Sequence, residues 1–396
     1  MTLPIVDSHV HLWTQAQLET LAWHTADNPL GVQHSVEEYL SSVGLDQVTQ
    51  NKSHGLEPAA ASQKYLLRGF IYLEVDRKSS VDEQNDGKEG SCWTHVLDEV
   101  SFLARIARGL PLKCEGHVES HKQMLLGFVP WAPVPGGPVV LERYLALVKE
   151  RIIMTLSEPS FLKNIDDDDV WKKLRGVRYL VQDKPAGTML QPGFVEGLKW
   201  LGRQQLAFDL GVDARQGGLW HLREAVELMR RVYHGVDEED RIRIVINETT
   251  IISHPDFLEW KSLVTAMATA SSTTYMKLSG LFSEFPSLDQ HYRGSTEPAE
   301  NEHAVIDYIV SHVRPWTDVI FDVFGPHRVM FGSDWPVCTI GNGAAASSSA
   351  AEKRREQGAW SRWRAVVEKV LDGRALSEDE KRDVWGGVAI RAYGIS

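Results

Sequence analysis

Residues 6–13 read VDSHVHLW. On a β-strand, side chains alternate between faces with a period of two. Asp7, His9 and His11 are therefore expected on one face, with Val6, Ser8, Val10 and Leu12 on the other. Two imidazoles and a carboxylate on one face of a strand need water, protein partners or a metal ion.

Outward from this stretch, short apolar runs recur at 4–12, 67–76, 125–134, 174–182, 206–213, 241–249, 274–282 and 327–335. They are rich in Val, Ile, Phe and Tyr and mostly apolar on both faces, as buried parallel strands are. Between them lie segments with apolar residues at helical spacing: SCWTHVLDEVSFLARIARGL, PVVLERYLALVKERIIMTL, PGFVEGLKWLGRQQ, LWHLREAVELMRRVYHG and HAVIDYIVSHVRPWTDVIFDVFG. Strands alternating with helices mean βα units and a parallel sheet. Eight such units predict an α/β protein, a (β/α)8 TIM barrel. A doubly wound open sheet is the competitor, but no glycine-rich dinucleotide loop follows the first run. Long connections are expected at 44–66, 77–92 and 341–352, the last of low complexity. The acidic run Asp166–Asp169 is expected to cap and charge a helix N-terminus. With no internal repeat and no evident linker, residues 1–396 read as a single domain with long βα loops.

The chain is 43% hydrophobic and 24% charged, enough apolar material for a sizeable core. Its net charge of −12 argues against nucleic acid and acidic membrane surfaces as partners. The three cysteines, Cys92, Cys114 and Cys338, lack regular spacing and fit free thiols in a reducing compartment. The opening MTLPIVDSHVHLW does not read as a signal peptide, and no stretch approaches the roughly 20 apolar residues of a membrane span. A cytoplasmic protein is expected.

In a (β/α)8 barrel the chemistry gathers at the C-terminal ends of the strands. Those ends offer His9 and His11; Glu74 and Asp76; Arg178 and Gln182; Asp209 and Asp213; Asn247 and Glu248; Lys277, Ser279 and Glu284; and Ser333, Asp334 and Trp335. Barrel closure sets the eighth strand beside the first. Asp334 is then expected beside His9 and His11, although they are more than 300 positions apart.

Five segments, VDSHVHLW, GVRYLVQDKP, LAFDLGV, MKLSGLFSE and HRVMFGSDWPVC, resemble the amidohydrolase superfamily. More narrowly, they resemble its sugar-lactone hydrolase branch, the L-rhamnono- and L-fucono-lactonase-like proteins. HxH alone is weak; HxH on the first strand with GSDWP on the last is a specific pair. The resemblance runs from the first strand to WGGVAIRAYGI. It implies a (β/α)8 fold and a lactone-hydrolysing pocket centred on His9, His11 and Asp334. It gives Asp334 the part of general base, and sets Arg178 and Lys277 at positions that engage substrate or intermediate oxygens. One departure stands out. The family usually carries a His at the end of the sixth strand, where this chain reads VINETT with Glu248. Glu248 then acts as an oxygen ligand or acid/base, or the activity has drifted, or the site is degenerate. A smaller departure, Val388 where Asn is common, is read as structural.

Opening a lactone needs a positioned water, a base and positive charge for the oxyanion. His9, His11, Asp334 and Glu248 form a candidate N₂O₂ set for one divalent ion, zinc first and manganese second, with metal-free action as the alternative. Glu74, Arg178, Asp209, Lys277 and Trp335 are the candidate substrate-binding residues, for a small-molecule lactone such as an aldono-1,4-lactone. Each has a plainer reading. Lys277 can form a structural pair with Asp209 or Glu248, Arg178 can brace Asp209 or Asp213, Glu74 can cap a strand, and Trp335 can pack in the core. Cys338 reads as a small buried hydrophobe. Two other functions compete: a metal-dependent decarboxylase of an aromatic or related acid, and a catalytically silent metabolite-binding barrel.

Overall fold

The computed structural model describes residues 2–44, 64–81, 91–157, 168–212, 218–247, 256–279, 298–340 and 350–395. Among them are the strands β1 (Leu3–Val10), β2 (Tyr65–Leu73), β3 (Leu125–Val129), β4 (Gly176–Arg178), β5 (Ala207–Gly211), β6 (Ile244–Asn247), β7 (Thr274–Leu278) and β8 (Val329–Phe331). All paired strands are parallel. Each overlaps one expected apolar run and ends before that run does. The last residues of the runs leave the ladder, and several of them line the cavity described below.

The ladder divides into two arcs, β1-β2-β3 and β4 through β8 in order. Backbone hydrogen bonds join the arcs at both edges. At one, Phe128 N donates to Lys173 O (2.8 Å) and Arg178 N to Pro130 O (2.9 Å). At the other, Asp334 N donates to His9 O (2.9 Å) and His11 N to Trp335 O (2.8 Å).

The five expected helices are present at Thr94–Arg108, Gly137–Leu156, Pro192–Arg203, Trp220–Tyr233 and Pro298–Phe324. The fourth shows why they form. Leu222, Ala225, Leu228, Met229 and Val232 recur at three- and four-residue steps and are buried, while Arg223, Arg230 and Arg231 face out. Each fully buried Leu or Val on such a stripe contributes about 1.5–3 kcal/mol. Helices at Val36–Val43, Phe257–Ala270 and Ala350–Gly373 complete the outer layer. The last begins inside 341–352, so that expected loop ends at Ala350. A short helix, Asp168–Trp171, starts within the acidic run. Among the described residues no helix is long and apolar enough to cross a membrane.

Two apolar clusters separate inside from outside. The inner one gathers Val6, Ile71, Leu73, Val129, Ala207, Val245 and Met330. It is plugged by Val388, Ala389, Ala392 and Tyr393 of the C-terminal segment. The outer cluster lies between strands and helices and includes Ile5, Val10, Leu12, Phe70, Phe208 and Phe331.

These clusters correct the reading of VDSHVHLW. Val6 belongs to the inner cluster and Val10 to the outer one, although both are even-numbered. The phase changes between them. Asp7 pairs with Phe70 and Val10 with Tyr72, so three steps on β1 match two on β2. That extra residue is a β-bulge, and it moves later side chains to the opposite face. His9 and His11 reach the cavity, whereas Asp7 turns outward among the helices. There the Asp7 carboxylate is fully buried and accepts from Trp360 Nε1 (2.8 Å), Tyr39 Oη (3.0 Å), Ser333 N (2.8 Å) and His9 N (3.3 Å). Burial pushes its pKa up, and the bonds from Ser333, Trp360 and Tyr39 pull it back without cancelling that rise.

Asp7 thereby ties β1 to the turn after β8 and to two outer helices. Asp7→Ala leaves the Ser333 and Trp360 donors buried without an acceptor, and is expected to cost roughly 2–4 kcal/mol in denaturant unfolding. Trp360→Phe removes one bond and is expected to cost about 1–2 kcal/mol. An unchanged unfolding midpoint for Asp7→Ala contradicts this account.

Candidate active site

Three ligand-type atoms converge where β1 meets the segment after β8. His9 Nε2 and His11 Nε2 lie 3.0 Å apart, and Asp334 Oδ1 is 3.2 Å from the first and 3.3 Å from the second. All three residues are buried. The bulged end of β1 presents both imidazoles on one side, with their rings edge to face. Asp334 sits at φ 58°, a left-handed conformation that is uncommon for a residue with a Cβ. Its neighbours hold it there: Asp334 N donates to His9 O, and Trp335 N donates to Ser333 Oγ (3.0 Å). Gly332 makes the approach possible. A Cβ at Gly332 would stand 2.9 Å from His9 Cβ and 3.3 Å from Ser279 Cβ.

The ring nitrogens are oriented by what lies behind them. His11 Nδ1 donates toward the backbone oxygens of Leu73 (3.1 Å) and Glu74 (2.9 Å). In the neutral ring its Nε2 therefore carries a lone pair facing the cluster. His9 Nδ1 lies 3.2 Å from Ser279 Oγ. Burial holds the His9 pKa well below the usual imidazole range, and the charges of Lys277, His11 and Arg178 add to this. A neutral imidazole is the form that binds a metal. Two imidazole nitrogens and a carboxylate oxygen around one point fit a divalent cation, and among the described residues these three are the group placed to hold one.

The cluster opens on a cavity of about 350 Å³. Its lining includes the apolar Trp13, Trp23, Leu30 and Val337 and the polar Glu74, Arg178, Gln182, Asn247 and Ser279. Glu74 is buried, and Arg178 Nε lies 3.8 Å from its Oε1. Burial raises the Glu74 carboxyl to about 8, with Arg178 partly opposing the shift.

Beneath this floor is an ionic group closed to solvent. Lys277 Nζ donates to Asp209 Oδ2 (2.7 Å), as does Tyr393 Oη (2.5 Å) from the C-terminal plug. Asn247 Nδ2 donates to Asp209 Oδ1. Burial lowers Lys277 to about 8, with Asp209 acting in the opposite direction.

The structure brings His9, His11 and Asp334 together and puts Glu74, Arg178, Asp76, Gln182, Asn247 and Ser279 on the cavity wall. Asp209 and Lys277, expected to touch substrate, instead pair below the wall. Both lie within their strands, Asp209 at the middle of β5 and Lys277 one residue before the end of β7, and both are fully buried. Trp335 does not line the cavity either; it packs against His34 and Tyr39. Glu248, Asp213 and Glu284 lie outside the described residues. The sequence reading passed over Trp23, Asn28 and Leu30 of the wall. They sit in the irregular stretch after β1, where no periodicity marks an inward side chain. Trp23 is held there by its Nε1 bond to Val75 O (2.9 Å).

Similarity to known proteins agrees with this geometry. The amidohydrolase family profile matches residues 241–395. The L-rhamnono-gamma-lactonase of Scheffersomyces stipitis is 30% identical over 396 residues, covering 99% of this chain and 98% of the relative. The L-fucono-1,5-lactonase of Burkholderia multivorans is 27% identical over 232 residues, covering 56% of this chain and 64% of that one. Among solved structures, an amidohydrolase from Burkholderia multivorans with bound zinc superposes with a TM-score of 0.58 at 21% identity, covering 99% of each chain. A probable 2-pyrone-4,6-dicarboxylic acid hydrolase from Acinetobacter baumannii, with citric acid bound, gives a TM-score of 0.51 at 10% identity over 98% of this chain and 99% of that one. At these identities the two structures speak for the fold. The lactonase relative, similar from one end of the chain to the other, carries the assignment: this chain belongs to the amidohydrolase superfamily, in its sugar-lactonase branch.

Proposed function

We propose that this protein is a hydrolase that opens a small sugar-derived lactone, an aldono-1,4-lactone above all, with Asp334 as general base. The observation that carries this reading is the convergence of His9 Nε2, His11 Nε2 and Asp334 Oδ1 within 3.3 Å at one cavity. The full-length likeness to an L-rhamnono-gamma-lactonase supports the substrate class. The reading takes the two arcs as one closed (β/α)8 barrel and the chain as one domain, supported by the hydrogen bonds at both seams.

In this reading Asp334 takes a proton from water as the water oxygen bonds to the lactone carbonyl carbon. The acyl–oxygen ring bond then breaks. The ring oxygen leaves as a hydroxyl, taking the proton back from Asp334, and the acid product ionises. Arg178 and Glu74 hold the sugar oxygens, while the tryptophan side of the cavity excludes bulk water. Asp209 and Lys277 keep this floor in place from below. His9, His11 and Asp334 would hold one divalent ion, zinc first and manganese second, which when bound supplies carbonyl polarisation or a more acidic water. Zinc bound to the structurally similar Burkholderia protein supports that choice.

Three outcomes follow. Asp334→Asn keeps the shape but cannot accept the proton, so kcat on L-rhamnono-1,4-lactone should fall by about 10²–10⁴-fold or more with folding intact. Wild-type kcat in that variant removes Asp334 as the base. Elemental analysis of the purified protein should find about one divalent ion per chain, and His9→Ala or His11→Ala should lose most of it. Retention of the ion by both variants contradicts the ligand assignment.

The third outcome concerns pH. Burial holds Glu74 near 8 in the folded chain against 4.5 when exposed, so the folded state retains a proton that the unfolded state has lost. Stability should then fall as pH rises between 4.5 and 8, by at most roughly 1.4 kcal/mol per pH unit. In chelator-treated protein, Glu74→Gln should remove this slope and melt above wild type at alkaline pH. Parallel Tm profiles for the two proteins refute the shift.

A further inference from the structure

Ser279 is the hydroxyl of the cavity that the reaction described so far does not use. It follows directly on β7, lines the cavity and is buried. Its Oγ lies 3.2 Å from His9 Nδ1, and among the described residues that nitrogen is its one hydrogen-bond partner. A hydroxyl has a single proton to give. Where Ser279 sends it is therefore decided by His9 Nδ1, which is either a lone pair or an N–H.

The far side of the His9 ring fixes which. His11 Nδ1 faces two backbone oxygens, Leu73 O (3.1 Å) and Glu74 O (2.9 Å), so it carries a proton. With both rings neutral, His11 Nε2 is then a lone pair. His9 Nε2 lies 3.0 Å from that lone pair and 3.2 Å from Asp334 Oδ1, so its proton sits on Nε2. His9 Nδ1 is left as an acceptor and takes the Ser279 proton. Once His9 Nε2 gives its lone pair to a divalent ion, the proton of the neutral ring must be on Nδ1. The bond reverses: His9 Nδ1 donates and Ser279 Oγ accepts. The Ser279 proton then has no protein acceptor among the described residues, and the cavity is what remains for it. Buried donors are ordinarily satisfied, so a ligand oxygen is its partner.

We propose that Ser279 is a catalytic residue: in the loaded enzyme its hydroxyl donates a hydrogen bond to the lactone carbonyl oxygen, a bond that strengthens as negative charge collects there. Ser279 keeps its proton throughout, and no bond to carbon forms at its Oγ; Asp334 still takes the proton of the attacking water. The lactone rests on the reading above, whereas the reversal of the bond rests on the two rings alone. The donor is thus present only when His9 has surrendered its Nε2 lone pair.

Two measurements test this. In NMR spectra of histidine-labelled full-length protein at alkaline pH, assigned with His9→Gln, His9 should carry its proton on Nε2 after chelator treatment and on Nδ1 after zinc loading. Ser279→Ala, saturated with zinc, should lose about 10²-fold in kcat on L-rhamnono-1,4-lactone with little change in KM, and Ser279→Thr should recover most of it. A serine that only orients His9 would instead weaken zinc binding, and excess zinc would restore kcat. Restoration by zinc, an unchanged kcat, or a His9 proton on Nε2 in the zinc-loaded protein overturns the proposal. So does an acyl group on Ser279 found by mass spectrometry during turnover, which would make it the nucleophile. An enzyme that leaves the lactone intact sinks the lactonase reading instead. Ser279→Ala must then weaken calorimetric binding of the lactone to zinc-loaded protein by about 10-fold and spare binding to the chelator-treated form; any other pattern overturns the proposal as well.

Discussion

The hydrogen bond from the Ser333 amide to the Asp7 carboxylate is the contact on which the rest of this structure depends. It joins the first strand to the turn after the last one across 326 positions of sequence. Beside it, β1 and the β8 end are joined by the backbone bonds around His9 and Asp334 and by Ser8 Oγ donating to Phe331 O (2.7 Å). With it, a single buried carboxylate also reaches Tyr39 and Trp360 in the outer helices. The left-handed backbone at Asp334 is tolerable because its surroundings determine it from several sides. The metal-type cluster is thus built by residues that never touch the cavity.

A second constraint works from below. Placing Lys277 and Asp209 where neither is exposed costs the desolvation of two charges. Hydrophobic residues of the same volume would fill that space at less expense. What the ion pair provides is an anchor: Asp209 also accepts from the Asn247 amide and the Tyr393 hydroxyl, and Lys277 places positive charge near His9. Burial is the main reason that His9 stays neutral, and the positive charge of Lys277 in its pair adds to it. Floor and cluster form one electrostatic unit, and an apolar replacement that conserved stability would lose both effects.

Much of the architecture was legible in the chain because it rests on period and order. Eight apolar runs alternating with amphipathic helices suffice for parallel βα units. The union of His9, His11 and Asp334 followed from placing the last strand beside the first. The errors have physical causes. Alternation along VDSHVHLW put Asp7 with the histidines because a bulge leaves no mark in hydrophobicity. Depth along a strand is equally silent, so Asp209 and Lys277 read like rim residues although they sit a layer beneath. The tryptophan wall belongs to irregular backbone, where side-chain direction follows tertiary contacts.

The plug that ends in Tyr393 has a bearing on how the protein comes into being. A nascent chain leaving the ribosome can pair β1 with β2 and β3 early, since those contacts are comparatively near in sequence. The two charges on β5 and β7, however, receive their last hydrogen-bond donor only when residue 393 has been made. Until then the interior lacks Tyr393, whereas β1 can gain its neighbour β8 once residue 331 has been made. Such distant closures carry a large entropic toll and form late. The interior beneath the cavity is therefore completed only after residue 393 has been made, and a chain stopped before it leaves the Asp209–Lys277 pair without the Tyr393 donor.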